Sequence, residues 1–364
     1  MKRIFLLAVI FFLMFINFIP VNAAADYAED SSEISSQLDD VLSEYDIDWR
    51  YDDISGLGFG ELWEKIFGSL ADKLKAPARL LASLLAITIF TAVMRGMGDG
   101  VFSKGSNSGL YNMVCVLTAV TVITPSLFAV YESSLSAIER TGGFMLVFVP
   151  VFAGITIASG GIASGGIYNM MILGASELFA GLTDSFLMPI LSVTAVLAVS
   201  GSVFPNVSVE SIVKLIKKLI TWGMTVAMTL FTGFTTMKCT LAAKTDGAAA
   251  KTAKFIISGF VPIVGGAVSD AYSTVRGSFD VIRSTVGTAG NIAILIFVVP
   301  PLIELLVFRG VMWIGTAAAE LLSADSLVRL MKGIDSGLAI AQSVLVCYSV
   351  MLILCTGILV QSFS

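Results

Sequence analysis

The chain has 364 residues, 56% of them hydrophobic and only 13% charged, with a mean hydropathy of +0.90. Soluble domains carry about 25% charged residues, so too few charges are present here to cover a surface in water. An ordinary cytosolic enzyme is excluded, and the composition sets a loose ceiling of about ten membrane spans at roughly 20 apolar residues each.

Residue counts narrow the chemistry further. Histidine is absent, which removes His-based triads, His metal sites and histidine pH switching. Cys115, Cys239, Cys347 and Cys355 all sit in or beside apolar segments without a Cys-x-x-Cys spacing, and read as packing residues. No Gly-x-x-x-x-Gly-Lys-[Ser/Thr] loop occurs. No Ser/Lys, paired-Asp or His/Glu arrangement of catalytic spacing is present, so no enzyme, cofactor or metal is expected. The net charge of −5 with no basic domain argues against nucleic acid.

In chain order, residues 1–25 read as a signal peptide. Lys2 and Arg3 precede the apolar run Ile4–Ile19, then Pro20 and the small residues of Val21-Asn22-Ala23-Ala24-Ala25. Residues 26–76 form an acidic extracytoplasmic segment, with 14 acidic and 4 basic side chains over 26–75. Two helical stripes run through it: Ile34, Leu38, Val41, Leu42 and Tyr45, then Phe59, Leu62, Trp63, Ile66, Phe67, Leu70 and Leu74.

Residues 77–364 form the polytopic part. Candidate spans are 78–95, 110–131, 143–159, 168–186, 188–204, 219–237, 255–271, 288–307 and 339–360, with 309–323 a weaker tenth. The expected fold is an all-α transmembrane bundle of about seven to nine crossings. An interfacial helix is expected near 208–218, with Val209, Ile212, Val213, Ile216, Leu219 and Ile220 opposite Lys214, Lys217 and Lys218. The lysines on both flanks of 219–237 leave the topology open.

Ionisable groups inside apolar spans are candidates for function. Glu177 and Asp184 lie seven residues apart, and Glu304 follows Pro300-Pro301. A relay through these carboxylates would make the protein a stand-alone secondary transporter; against it, no matching polar cluster is visible in neighbouring spans. Glu304 and Arg309 are five residues apart, a poor spacing within one helix, so a partner for either would come from elsewhere. Among the 33 glycines, several sit where helices could pack closely, building a bundle or an oligomer. Phe148-Val149-Pro150-Val151-Phe152-Ala153-Gly154 also resembles Phe260-Val261-Pro262-Ile263-Val264-Gly265-Gly266 at an offset of 112, with Pro189 aligning with Pro301; an internal repeat would place the two in corresponding halves of one architecture.

The Pro/Gly-broken segment 251–290 carries the most individual pattern. It runs Lys251-Thr252-Ala253-Lys254-Phe255-Ile256-Ile257-Ser258-Gly259-Phe260-Val261-Pro262-Ile263-Val264-Gly265-Gly266-Ala267-Val268-Ser269-Asp270-Ala271-Tyr272, followed by Ser273-Thr274-Val275-Arg276-Gly277-Ser278 and Ser284-Thr285-Val286-Gly287. Pro262 interrupts a helix and Gly265-Gly266 permits a bend or a close approach. Val268, Tyr272, Val275, Phe279 and Ile282 mark an apolar face, leaving Asp270 and Arg276 as candidates to face a water-filled path.

This block resembles the stage III sporulation protein AE family of endospore-forming bacteria, and the signal peptide, acidic segment and many spans agree with that layout. The resemblance implies a multi-pass component of the channel or secretion-like complex linking mother cell and forespore, needed for late forespore development. It implies a place in the mother-cell membrane around the forespore. Implied partners are an ATPase, ring-forming proteins and a forespore-side protein. It supplies no catalytic residues.

Overall fold

The computed structural model describes residues 75–101, 107–204, 209–260 and 265–361. The expected signal peptide, nearly all of the acidic segment and Pro262 lie outside the described residues. What is described is all helix: α1 (Lys75–Val101), α2 (Asn107–Ala158), α3 (Ile162–Leu182), a π-helical turn (Thr183–Leu187), α4 (Met188–Val203), α5 (Val209–Phe260), α6 (Gly265–Leu321) and α7 (Asp325–Gln361). No strand occurs among the described residues. In hydrocarbon a backbone N–H or C=O finds no water, so a chain this apolar satisfies itself internally by forming helices.

The helices are longer than the expected spans. α2 fuses segments 110–131 and 143–159 into one 52-residue helix that continues through Pro125 and Pro150. At 1.5 Å per residue it is about 78 Å long, against a hydrocarbon core of about 30 Å. α6 likewise carries both 288–307 and 309–323, with Pro300 and Pro301 inside it. Among the described residues, six helices are long and apolar enough to cross a membrane; periodicity and composition do not reveal where one helix runs into the next.

Segment 255–271, expected as a span, is divided between the end of α5 and the start of α6. Lys254 Nζ donates to Ser273 Oγ at 3.0 Å, so the two helices stand side by side as a hairpin. Of the two stretches matched at offset 112, residues 148–154 lie within unbroken α2, whereas residues 261–264 lie outside the described residues.

α7 is the axis of the bundle, packed on α6, α5, α4, α2 and α3, and its span is the most buried of the six. Its contacts set the register. Tyr168 of α3 reaches Thr356 (3.1 Å) and the Phe179 ring lies 5.0 Å from that of Tyr348. Ala198 of α4 fills the space over Gly333, and Arg329 Nε donates to the Gly201 carbonyl at 3.2 Å. As α3, the π turn and α4 rise in number, their partners on α7 fall, so the three form one rod antiparallel to α7. Aromatic rings fill the seam between α2 and α6, where Phe144 and Phe148, then Phe148 and Phe152, stack at 5.3 and 5.5 Å. The rings fit because Gly287 and Gly290 of α6 present bare backbone to Phe152 and Phe148.

The turns are encoded locally. After α2, Gly160 takes φ +90°, Gly160 N–H bonds the Ile157 carbonyl and Gly161 N–H bonds that of Thr156 (both 2.9 Å), a glycine-ended C-cap. After α6, Ser323 occupies the left-handed region (φ 54°), and Ala324 N–H bonds the Ala319 carbonyl at 2.8 Å. All four cysteines are buried and unpaired.

Candidate functional site

Polar side chains inside the bundle gather at two levels, and the first lies around α7 near Asp335. Arg309 of α6 places Nε 2.7 Å from Asp335 Oδ1 and Nη1 2.5 Å from Gln342 Oε1. Both members of the pair are less than a quarter exposed. Lys217 of α5 is close enough to feel both charges. Tyr131 of α2 and Thr194 of α4 close over Gly337, whose lack of a side chain leaves room for the phenol oxygen. A turn of α6 earlier, Glu304 accepts a hydrogen bond from Ser133 Oγ of α2 at 2.9 Å. One level thus joins α2, α4, α5, α6 and α7 through polar groups, and a buried ion pair specifies register more than it adds stability.

The second level lies at the α2–α3 turn. α3 begins after Gly161, which offers no side chain to cap it, so the N–H groups of Ala163 and Ser164 need an acceptor from elsewhere. Asp246 of α5 supplies it. Its Oδ1 accepts from Ala163 N–H (2.9 Å), and its Oδ2 accepts from Ser164 N–H (2.9 Å) and Ser164 Oγ (2.7 Å). The carboxylate is 4% exposed and meets the positive end of the α3 dipole. On the other side of the turn, the Tyr272 hydroxyl and Arg276 guanidinium of α6 lie within 4.0 Å of the point where a Gly160 side chain would start. The base of the α5–α6 hairpin is therefore clamped to the α2–α3 turn by both of its helices.

The expected site residues divide accordingly. Arg276 joins the second level and Glu304 the first. Gly265, Gly266 and Asp270 lie in the first turns of α6. Glu177 is exposed on α3, and Asp184 lies in the π turn. Glu304 is held by Ser133 of α2, whereas Glu177 lies on the exposed side of α3. On the face expected from Val268 to Ile282, Tyr272, Phe279 and Ile282 are partly buried. Val275 is 57% exposed, while Arg283, 2% exposed, turns inward with Asp280 Oδ1 3.5 Å from its Nη1.

Sequence reading missed Asp246, Arg309 with Asp335, and Gln342. Asp246 stands among Lys238, Lys244, Lys251 and Lys254 and looks like part of a solvated charge run. The one usable signal was the bare glycine before α3, which leaves a helix start without a local cap.

Long apolar helices tied together at two polar levels define a multi-pass α-helical membrane protein. The chain belongs to the stage III sporulation protein AE family, whose model matches residues 51–362. It is 24% identical over 302 residues to the stage III sporulation protein AE of Bacillus subtilis (strain 168), covering 82% of this chain and 75% of that one. No solved structure matches the chain.

Proposed function

We propose that this sporulation-family membrane protein is an embedded component of the channel or secretion-like complex joining mother cell and forespore, seated in the mother-cell membrane around the forespore. The observation that supports this reading most is the family match, which spans every described helix. The bundle fits a scaffold or conduit role, since Arg309, Asp335, Gln342, Glu304 and Asp246 are engaged in contacts between helices. Its partners in this reading are an ATPase, ring-forming proteins and a forespore-side protein.

The competing reading, a stand-alone transporter using intramembrane carboxylates, is disfavoured because Glu304 is engaged by Ser133 and Glu177 stands apart on α3. Affinity purification from sporulating cells tests the proposal. Co-purification of the ATPase and ring-forming proteins supports it, and solute movement by the purified chain alone in liposomes overturns it.

A further inference from the structure

The start of α5 is uncovered. Lys214 and Lys218 are exposed there, and so are Leu215 and Leu219, each 65%. At 3.6 residues per turn these lysines and leucines adjoin on one side of the helix. Lys214 is paired with Glu210 at 2.5 Å, whereas Lys217 and Lys218 are in no ion pair among the described residues. A basic, partly apolar surface thus stands open at the level of the Arg309–Asp335 pair, beside which Lys217 lies.

The chain that enters α1 at Lys75 arrives at the same level. The few residues joining Val101 of α1 to Asn107 of α2 span about 20 Å at full stretch, against about 40 Å for the length of α1, so the two helices run antiparallel. α2 in turn runs opposite to α6, since Ser133 meets Glu304 and Phe152 lies over Gly287. α1 and α6 therefore run the same way. Leu84 comes within 3.9 Å of the point where a Gly315 side chain would start. Lys75, nine residues before Leu84, is then level with about residue 306 of α6, between Glu304 and Arg309. Residues 26–75 carry 14 acidic and 4 basic side chains along with their two apolar stripes, and a segment of about 50 residues is too short to bury such stripes by itself.

We propose that the acidic segment, residues 26–74, folds back on its own bundle and docks on the exposed start of α5, its carboxylates meeting Lys214, Lys217 and Lys218 and its apolar side chains covering Leu215 and Leu219. Charge selects this occupant: a segment with ten more acidic than basic side chains is repelled by an anionic headgroup layer and attracted by the lysines. Tethering selects it too. From Lys75 the segment has only to pass α6, which touches both α1 and α5. Its length, about 70 Å even as continuous helix, is several times a helix diameter of about 10–12 Å. Docking is then intramolecular, at an effective concentration of about mM. Because the level is shared, no part of the segment has to cross the bilayer, and the docking holds whichever side of the membrane that level faces. It does not rest on the channel reading.

The test is photo-cross-linking of the full chain in native membranes and, after purification, in lipid vesicles. A photo-reactive phenylalanine analogue is placed at Leu215 and, as control, at Val196 on the exposed side of α4. Mass mapping should place the Leu215 adducts within residues 26–74, at least about fivefold above those from Val196. Mixing isotope-labelled with unlabelled copies shows that both ends of each adduct belong to one chain. The charge-reversed variant Lys214→Glu/Lys218→Glu should lower the yield about fivefold or more, and so should about 1 M salt, where the Debye length is about 3 Å. Adducts mainly to lipid, to a different protein or between two copies, no adducts at all, or a yield indifferent to charge reversal and salt would each overturn the proposal. Both substituted lysines are exposed, thermal unfolding of the variant verifies its folding, and the salt arm tests the wild-type surface without any change at the lysines.

Discussion

Asp246→Ala isolates what one carboxylate contributes to the assembly of three helices. The substitution removes the acceptor for two backbone N–H groups and one hydroxyl at the buried start of α3. Each orphaned buried donor costs about 1–3 kcal/mol, and loss of the favourable charge at the helix terminus adds about 0.3–1 kcal/mol. With the carboxylate 4% exposed, no discount for solvent screening applies, and the expected loss is roughly 3–6 kcal/mol. Unfolding entropy of about 2.1 cal/mol/K per residue over roughly 270 helical residues turns this into a Tm lower by about 5–10 °C. The assay is thermal unfolding of detergent-purified protein followed by a thiol-reactive dye, since all four cysteines are buried and react only on opening. Asp246→Asn keeps one acceptor but turns an amide donor toward the other N–H, so it should fall between Ala and wild type. A Tm within about 1 °C of wild type for Asp246→Ala would refute the view that the hairpin caps α3.

The same assay reads the remaining substitutions. Gly290→Ala would drive a methyl into the Phe148 ring, and Gly287→Ala would drive one into Val360 and Phe152; each should cost about 1–3 kcal/mol. Gly181→Ala, with nothing within 4 Å, should be neutral or slightly stabilising. Gly160→Ala forces a side chain into φ +90° and should cost about 1–2 kcal/mol, with the loss larger in Ala than in Asn, which tolerates that region better. Arg309→Ala leaves Asp335 half-buried without its partner and should cost about 2–4 kcal/mol, while the Arg309→Ala/Asp335→Ala double variant should lose less than the sum of the two single changes. Removing the exposed Glu210–Lys214 pair should change stability by less than about 0.5 kcal/mol.

The all-α membrane class was legible because it follows from composition, and the family was legible in 251–290. The architecture of that segment was not. The run from Phe255 to Ala271 has the apolarity of a span, and no local rule marks a turn inside it: Pro262 with Gly265-Gly266 fits a kinked helix as well as a hairpin. What decides between them is that Asp246 and Arg276, thirty residues apart in the chain, must both meet the α2–α3 turn. That requirement resides in residues 160–164, far from the segment it shapes.

The same distance explains the site. Spacing within one helix brought forward Glu177, Asp184 and Glu304 as ionisable groups inside apolar runs, and such reasoning sees only the helix that carries the charge. An intramembrane charge persists because of what faces it, and in three cases here the facing group lies on another helix: Asp335 for Arg309, Ser133 for Glu304, the start of α3 for Asp246. In a sheath of lipid these pairings are among the few contacts that depend on register, since one apolar side chain slides past another at little cost. The polar residues therefore fix how the long helices align, and through that alignment they decide which side of α5 is left facing outward.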